Sequence, residues 1–361
     1  MAAALISMET PYGSLKLDTA VGNICDFRLR DDERELTPFH TAHWVRDAAV
    51  QCDDNLLPVE KKLSGDFFCA PFGTSDVVSG PAHGWTANSA WTVSHSSNEQ
   101  VTMVLDRDVM GARISKTLRL AGDAPLLYQQ HLIAGGAGEL PVAHHPMVHC
   151  AAGGRLSCSP KRLAISPEKP LEPGRNRLAC PASASALNAF PDIYGNMIDL
   201  GSLPLAAGHE DFVTLVEAPG RLRGWSAVVR DEEDDIVFFV KDADVLPVTM
   251  LWYSNGGRDY PPWNGRHTGV LGIEDGRAAG AAGHRAALSD NAVARTGVPT
   301  CLTLQAGTTH RIAHLTGAID RPNGWTCIAD VELAGAALIL TDISGAVRTL
   351  PVLQNFFEER L

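Results

Sequence analysis

The feature that narrows the fold most is a repeating grammar of short apolar segments cut by turn residues. Arg113-Ile114-Ser115-Lys116-Thr117-Leu118-Arg119-Leu120 alternates polar and apolar side chains, the period of a strand with one solvated face. Ala121-Gly122-Asp123-Ala124-Pro125 supplies a turn, and Leu126 to Ile133 returns, so the stretch predicts a β-hairpin. Similar segments recur at 235–240, 248–253, 300–304 and 309–315. With 33 glycines and 22 prolines spread along 361 residues, long amphipathic helices have little room; the best helical segment is Asn55 to Leu63. Many short strands without alternating helices predict an all-β chain, a large antiparallel β-sandwich. No linker or internal repeat divides it, so residues 1–361 are expected to form a single domain.

Charge and apolar runs exclude several classes. Lys+Arg 30 against Asp+Glu 42 gives a net charge of -12, with no basic block, which argues against nucleic acid and anionic membranes as partners. The acidic run Asp231 to Asp235 reads as a solvated turn, and 278–283 as a flexible loop. No apolar run reaches the roughly 18 residues that span a bilayer. Met1 to Ser7 lacks the positive and apolar regions of a secretory signal. Eight cysteines without any C-x-x-C spacing read as buried thiols in a reducing compartment, so a cytoplasmic location is expected. Signatures of a nucleophile elbow, a P-loop and a dinucleotide turn are missing.

Three segments carry residues with chemistry. The first is His83-Gly84-Trp85-Thr86-Ala87-Asn88-Ser89-Ala90-Trp91. In the second, Ala143 to His149, a strand would put His145, Met147 and His149 on one face and His144 on the other, where His144 is plain structure. The four-residue spacing of His145 and His149 also suits a metal on a helix, but Pro146 interrupts one; no metal is expected. In the third, Val270 to Asp275, alternation sets Glu274 opposite Leu271 and Ile273, facing either solvent or a cleft. Between Trp252 and His267 lies a loop rich in aromatic and polar groups, among them Arg258, Trp263 and His267. Such a mixture is what a small-ligand pocket uses, although the same aromatics could cap a core. Trp252 itself reads as core.

These segments, in this order, resemble the galactose mutarotase-like (aldose 1-epimerase) superfamily over most of the chain, from about Gly65 to Glu274. The first is similar to the family's H-G-(aromatic)-A-R-N-x-x-W signature; Ala87 stands where the family has arginine, which leaves the identity of the sugar open. The second resembles the segment that carries the general acid, with Pro146-Met147-Val148 in place of Thr-Tyr-Phe. The third resembles the segment that ends in the general base, with Asp275 where proline is common. Gly208-His209-Glu210-Asp211-Phe212 faintly echoes a further carboxylate motif.

The resemblance implies anomer interconversion of an aldose without cofactor. A base removes the anomeric hydroxyl proton while an acid protonates the ring oxygen, and the pair then runs in reverse on the other face. It implies Glu274 as base, His145 as acid and His83 as a donor polarising the ring oxygen. Asn88, Arg258, Trp263, His267, Asp211 and Trp85 would bind the carbohydrate. A non-catalytic sugar sensor, or an oligosaccharide lyase or hydrolase on the same scaffold, are the rival readings. Sheet edges of such a sandwich allow pairing into a homodimer.

Overall fold

The computed structural model describes residues 5–359; part of the N-terminal stretch read above, residues 1–4, lies outside them. Two large antiparallel sheets face each other. One runs, by spatial order, through Ser202–Leu203, Gly154–Cys158, Arg223–Arg230, Asp235–Asp242, Thr309–Asp320, Leu126–Gly135, Ala112–Leu120, Gln100–Leu105 and Trp91–Ser96. The other runs through Ser183–Ala184, Lys161–Ile165, His209–Glu217, Val248–Asn255, Val270–Arg277, Val142–His144 and Phe68–Cys69, with Met147–His149 also paired to Val270–Arg277. The predicted hairpin is present, with Ile114 opposite Ile133 and Leu120 opposite Leu127. Helix is confined to short pieces, one of them Pro58–Lys61 within the predicted segment.

Three apolar clusters explain which strands alternate and which do not. Between the sheets, Leu251, Leu271 and Ile273 of one meet Leu127, Val237 and Phe239 of the other. On the outer face of the nine-stranded sheet, Ile236, Phe238 and Leu315 are covered by a C-terminal sheet of Ile328–Ala334, Ala337–Asp342 and Val347–Pro351. The Ile236-Val237-Phe238-Phe239-Val240 run is therefore apolar on both faces because both faces are covered. A third cluster, including Trp44, Phe67, Met147, Met250 and Trp252, lies on the outer face of the eight-stranded sheet.

Local departures have clear causes. Asp231 to Asp234 form a turn, but Asp235 is buried because Arg230 binds both its oxygens, at 2.7 and 2.6 Å. All eight cysteines are free; Cys52 is exposed, whereas Cys69, Cys150 and Cys301 are buried. No helix is long and apolar enough to cross a membrane among the described residues.

Candidate functional site

The outer face of the eight-stranded sheet carries a cavity of about 270 Å³. Phe67, Phe72, Phe212, Trp252 and Trp263 form its apolar walls, and His83, His145, Arg258 and Glu274 are its main polar groups. The strand period delivers these residues. In Val270–Arg277, Leu271 and Ile273 enter the core between the sheets, and Glu274 points the other way, into the cavity. Gly272, two residues earlier on the same face, is required for space: a Cβ there would lie 2.9 Å from Glu274 Oε1 and 3.1 Å from the Trp252 Cβ. Trp252 is both core and wall: buried at 5% exposure, it also lines the cavity.

His145 follows directly on the Val142–His144 strand, and its Nε2 lies 3.1 Å from Glu274 Oε1. Phe67 stacks on the imidazole at 4.4 Å, and His83 meets it edge-on at 5.3 Å. Burial pushes the Glu274 carboxyl well above its ordinary range. Burial, reinforced by His83, holds His145 down to about 3. Both shifts favour the uncharged forms of the pair. Glu274 Oε2 and His145 Nδ1 have no hydrogen-bond partner. Buried polar atoms are nearly always bonded, so unbonded ones beside a cavity mark places where a ligand can complete the set.

Arg258 is the cation of the cavity. Its guanidinium lies 4.4 Å from the Trp263 ring centre and 5.5 Å from that of Trp252. Glu172, 3.1 Å from Nε, offsets its charge. Trp252 is fixed at its edge by a 2.8 Å bond from Nε1 to Glu210. His267 stacks behind it at 5.3 Å.

Several sequence-predicted binding residues have other occupations. The Asn88 amide donates to the carbonyls of Ala82 and Gly84 and accepts from the Val59 amide, so it holds the His83 turn together instead of lining the cavity. Trp85 packs under Arg107, outside the cavity lining. His267 is buried behind Trp252, with Nδ1 2.7 Å from the Ser254 hydroxyl, and likewise does not line it. Asp211 accepts from His209 Nδ1 and from the amides of Arg177 and Leu178, so its oxygens are taken. The strand period explains this last error: Phe212 lines the cavity, and its same-face neighbour Glu210, not Asp211, reaches the wall through Trp252. His149 pairs with Glu233 at 3.5 Å and stacks on His40, away from the His145–Glu274 pair.

Sequence reasoning missed the aromatic walls Phe67, Phe72 and Phe212, which come from two segments far apart in the sequence, 67–72 and the strand at 212, without a pattern that links them. It also missed the polar interior directly beneath the site. His144, one step from His145, donates to Asp66, whose carboxylate also accepts from Gln129 (2.6 Å) and from the His145 amide (2.9 Å). Asp275, one step from Glu274, binds Lys241 at 2.9 Å, His314 at 2.9 Å and Thr249 at 2.7 Å. Burial raises Asp275, but Lys241 and His314 outweigh it and hold the carboxyl far below its usual range. Asp66, His144 and His314 bring possible ligand atoms within 4.8 Å of one another. The two imidazoles lie face to face, however, 4.3 Å apart and 16° from parallel, so their in-plane lone pairs do not converge on one ion.

No family model matches the chain, and no curated protein matches it either. Solved structures do. A candidate aldose 1-epimerase from Escherichia coli K12 superposes with a TM-score of 0.59 at 14% identity, covering 88% of this chain and 99% of its own. The chain has the galactose mutarotase-like fold. A galactose mutarotase-related enzyme from Lactobacillus acidophilus (TM-score 0.55, 11% identity, 89% and 99% covered) has the same architecture. So does a galactose mutarotase-like protein from Lactobacillus casei (0.54, 13%, 87% and 100%). At such identities the mutarotase-like likeness is one of fold.

Proposed function

We propose that this chain binds an aldose in the aromatic cavity and interconverts its α and β anomers by general acid–base ring opening. The observation that carries the reading is the buried His145–Glu274 pair, in contact at 3.1 Å with one unbonded atom on each member. Ring opening needs such a pair: one member removes the proton of the anomeric hydroxyl while the C1–O5 bond breaks and its electrons pass to O5, which the other member protonates. Rotation about C1–C2 then presents the opposite face of the aldehyde, and the same transfers run backwards. Because burial favours the protonated carboxyl, Glu274 acts as base only if that proton passes to His145 when the sugar replaces their mutual contact. His83 would donate to the ring oxygen, and the indoles of Trp252 and Trp263 would cover apolar C–H faces of the sugar.

A binding-only protein is the second reading. It is favoured by Ala87 and by the direct bond between His145 and Glu274, which a substrate has to part. Exchange NMR on a panel of aldoses, with wild type beside Glu274→Gln, separates the two. Accelerated α/β exchange that disappears in the variant supports catalysis. Saturable binding with no acceleration moves the chain to the sensing class, and an unimpaired Glu274→Gln variant overturns the residue assignment.

A further inference from the structure

His83 reaches the cavity from a backbone position that its neighbours impose. Its φ of 63° lies in the left-handed region, which a histidine adopts only when its surroundings require it. The His83 amide donates to the Gly73 carbonyl at 2.7 Å, and Gly84 bridges Ala70. A Cβ at Gly84 would stand 1.9 Å from the Ala70 carbonyl oxygen, so only glycine lets the turn lie against the strand end. Phe67 and Phe72 each meet the His83 ring edge-on at 5.9 Å and set its plane. These contacts place the ring without deciding which nitrogen carries the proton.

That choice is made by Cys69. Its Sγ lies 3.4 Å from His83 Nδ1, and no other hydrogen-bond partner is found for the sulfur among the described residues. We propose that Cys69 is a positioning residue for His83: its thiol donates to Nδ1 and so keeps the ring proton on Nε2, the nitrogen left to meet a ligand. Two arrangements satisfy the distance, S–H donating to nitrogen or N–H donating to sulfur. The imidazole lone pair is the stronger acceptor and thiol sulfur a weak one, which favours the first. Both groups hold the required protonation. Burial, then Glu274 and Asp66, push the thiol well above its ordinary range, so it retains its proton. Burial and the nearby Arg258 hold His83 at about 4, so the ring is neutral and one nitrogen must accept.

The thiol is as well fixed as the acid–base pair. Cys69 is fully buried, and its residue pairs with Ala143 in the sheet that also carries Glu274. An Nε2–H faces a sugar as a donor and can polarise the ring oxygen; the opposite tautomer would offer it only a lone pair. The catalytic consequence rests on the mutarotase reading above, but the tautomer itself does not.

Two-bond 1H–15N correlation of histidine-labelled protein at pH 7, with His83 assigned through a His83→Gln variant, tests this directly. Wild type is expected to show the protonated nitrogen at Nε2. Cys69→Ser, whose hydroxyl can donate in the same place, keeps it there; Cys69→Ala gives a mixture or moves the proton to Nδ1. On whichever aldose the wild type interconverts, kcat in Cys69→Ala falls about tenfold and returns in Cys69→Ser, while KM stays within about twofold. An Nδ1–H tautomer in wild type, or an unchanged Nε2–H in Cys69→Ala, overturns the proposal. The spectrum requires no turnover, so a chain that only binds sugar still answers the question. Should Cys69→Ala fail to fold, Cys69→Val, which fills the site without a donor, takes its place with the same expected and overturning results.

Discussion

Two pairs of neighbours, His144 with His145 and Glu274 with Asp275, sit one step apart on adjoining segments and lead opposite lives. His145 and Glu274 face the cavity, where each keeps one atom unbonded and burial pushes both toward neutrality. His144 and Asp275 face the interior, where Asp275 is ionised between Lys241 and His314; His144 bonds Asp66 through Nδ1, and its Nε2 is as unbonded as His145 Nδ1, so the contrast lies in the two carboxylates. Burial is nearly complete on both sides, so it does not distinguish them. Partnership does: a buried carboxylate surrounded by donors is a structural fixture, whereas one left incomplete beside a cavity is available for chemistry.

The sharpest way to break this comparison is Glu274→Gln. It removes a proton acceptor from the cavity but leaves the shape, so anomer exchange is expected to fall by about 10²–10⁴-fold, while chemical denaturation shifts by less than about 1 kcal/mol. A stability loss comparable with the catalytic loss would mean that Glu274 is a fixture like its neighbour.

Asp275→Ala should give the reverse pattern. Lys241 is fully buried and would lose one of its two carboxylate partners, keeping Glu217 at 3.1 Å, and His314 would lose its bond. Removing one partner of a buried charge network costs up to about 3–5 kcal/mol, less here in so far as Glu217 still offsets Lys241, read as a fall in the denaturation midpoint. Whatever fraction remains folded should keep the wild-type pH profile of exchange, because the cavity pair is untouched.

The pH dependence of stability tests the buried histidines and the cavity carboxylate at a smaller scale. His144 is held at about 4 and His145 at about 3, chiefly by burial. Unfolded rings bind protons below about 6.5 while the folded ones do not, so this stability is complete above that pH and is lost as pH falls toward 4. By pH 5 the loss is of order 2 kcal/mol for each ring. Glu274 acts in the other direction: its folded carboxyl keeps a proton that the unfolded chain releases above about 4.5, so its contribution is lost as pH rises through the raised value. Thermal melts from pH 4 to 9 should therefore show an acid loss in both wild type and Glu274→Gln, with the alkaline loss smaller in the variant.

How much of this was legible in the sequence follows from the same strand period. Alternation was enough to set Glu274 against Leu271 and Ile273, and to separate His144 from His145, because a strand admits two faces only. It could not tell a cavity from solvent, since that depends on what other segments bring over the sheet: Phe67, Phe72 and the Trp263 loop. Asn88 and Asp211 were misplaced for a related reason. Both lie in segments that resemble a sugar-binding motif, but their side chains are consumed by amides and carbonyls of neighbouring turns, contacts set by tertiary folding and invisible in a linear pattern. The run Ile236 to Val240 marked a strand, yet nothing local announced that both its faces would be covered, the outer one by the C-terminal sheet.

The rim of the cavity offers the mildest test. Arg258 and Glu172 are about one-fifth exposed and 3.1 Å apart, and the Tyr260 hydroxyl donates to the same carboxylate at 2.7 Å. If partnership in the dry interior is what makes a charge structural, this half-wet pair should matter little to folding. Glu172→Gln keeps an acceptor for Tyr260 and removes one charge, so the expected stability change is below about 1 kcal/mol and shrinks further with added salt. Its effect should appear in binding instead. Without Glu172 the guanidinium remains stacked on Trp263 by its own geometry, but its charge is less offset, so affinity for a neutral sugar should change by less than about threefold. Affinity for a sugar bearing a carboxylate or phosphate should rise relative to the neutral one. A loss of several kcal/mol in Glu172→Gln would place the rim with Asp275, as a region whose folding depends on its ion pairs, and the division between the two faces would have to be redrawn around Arg258.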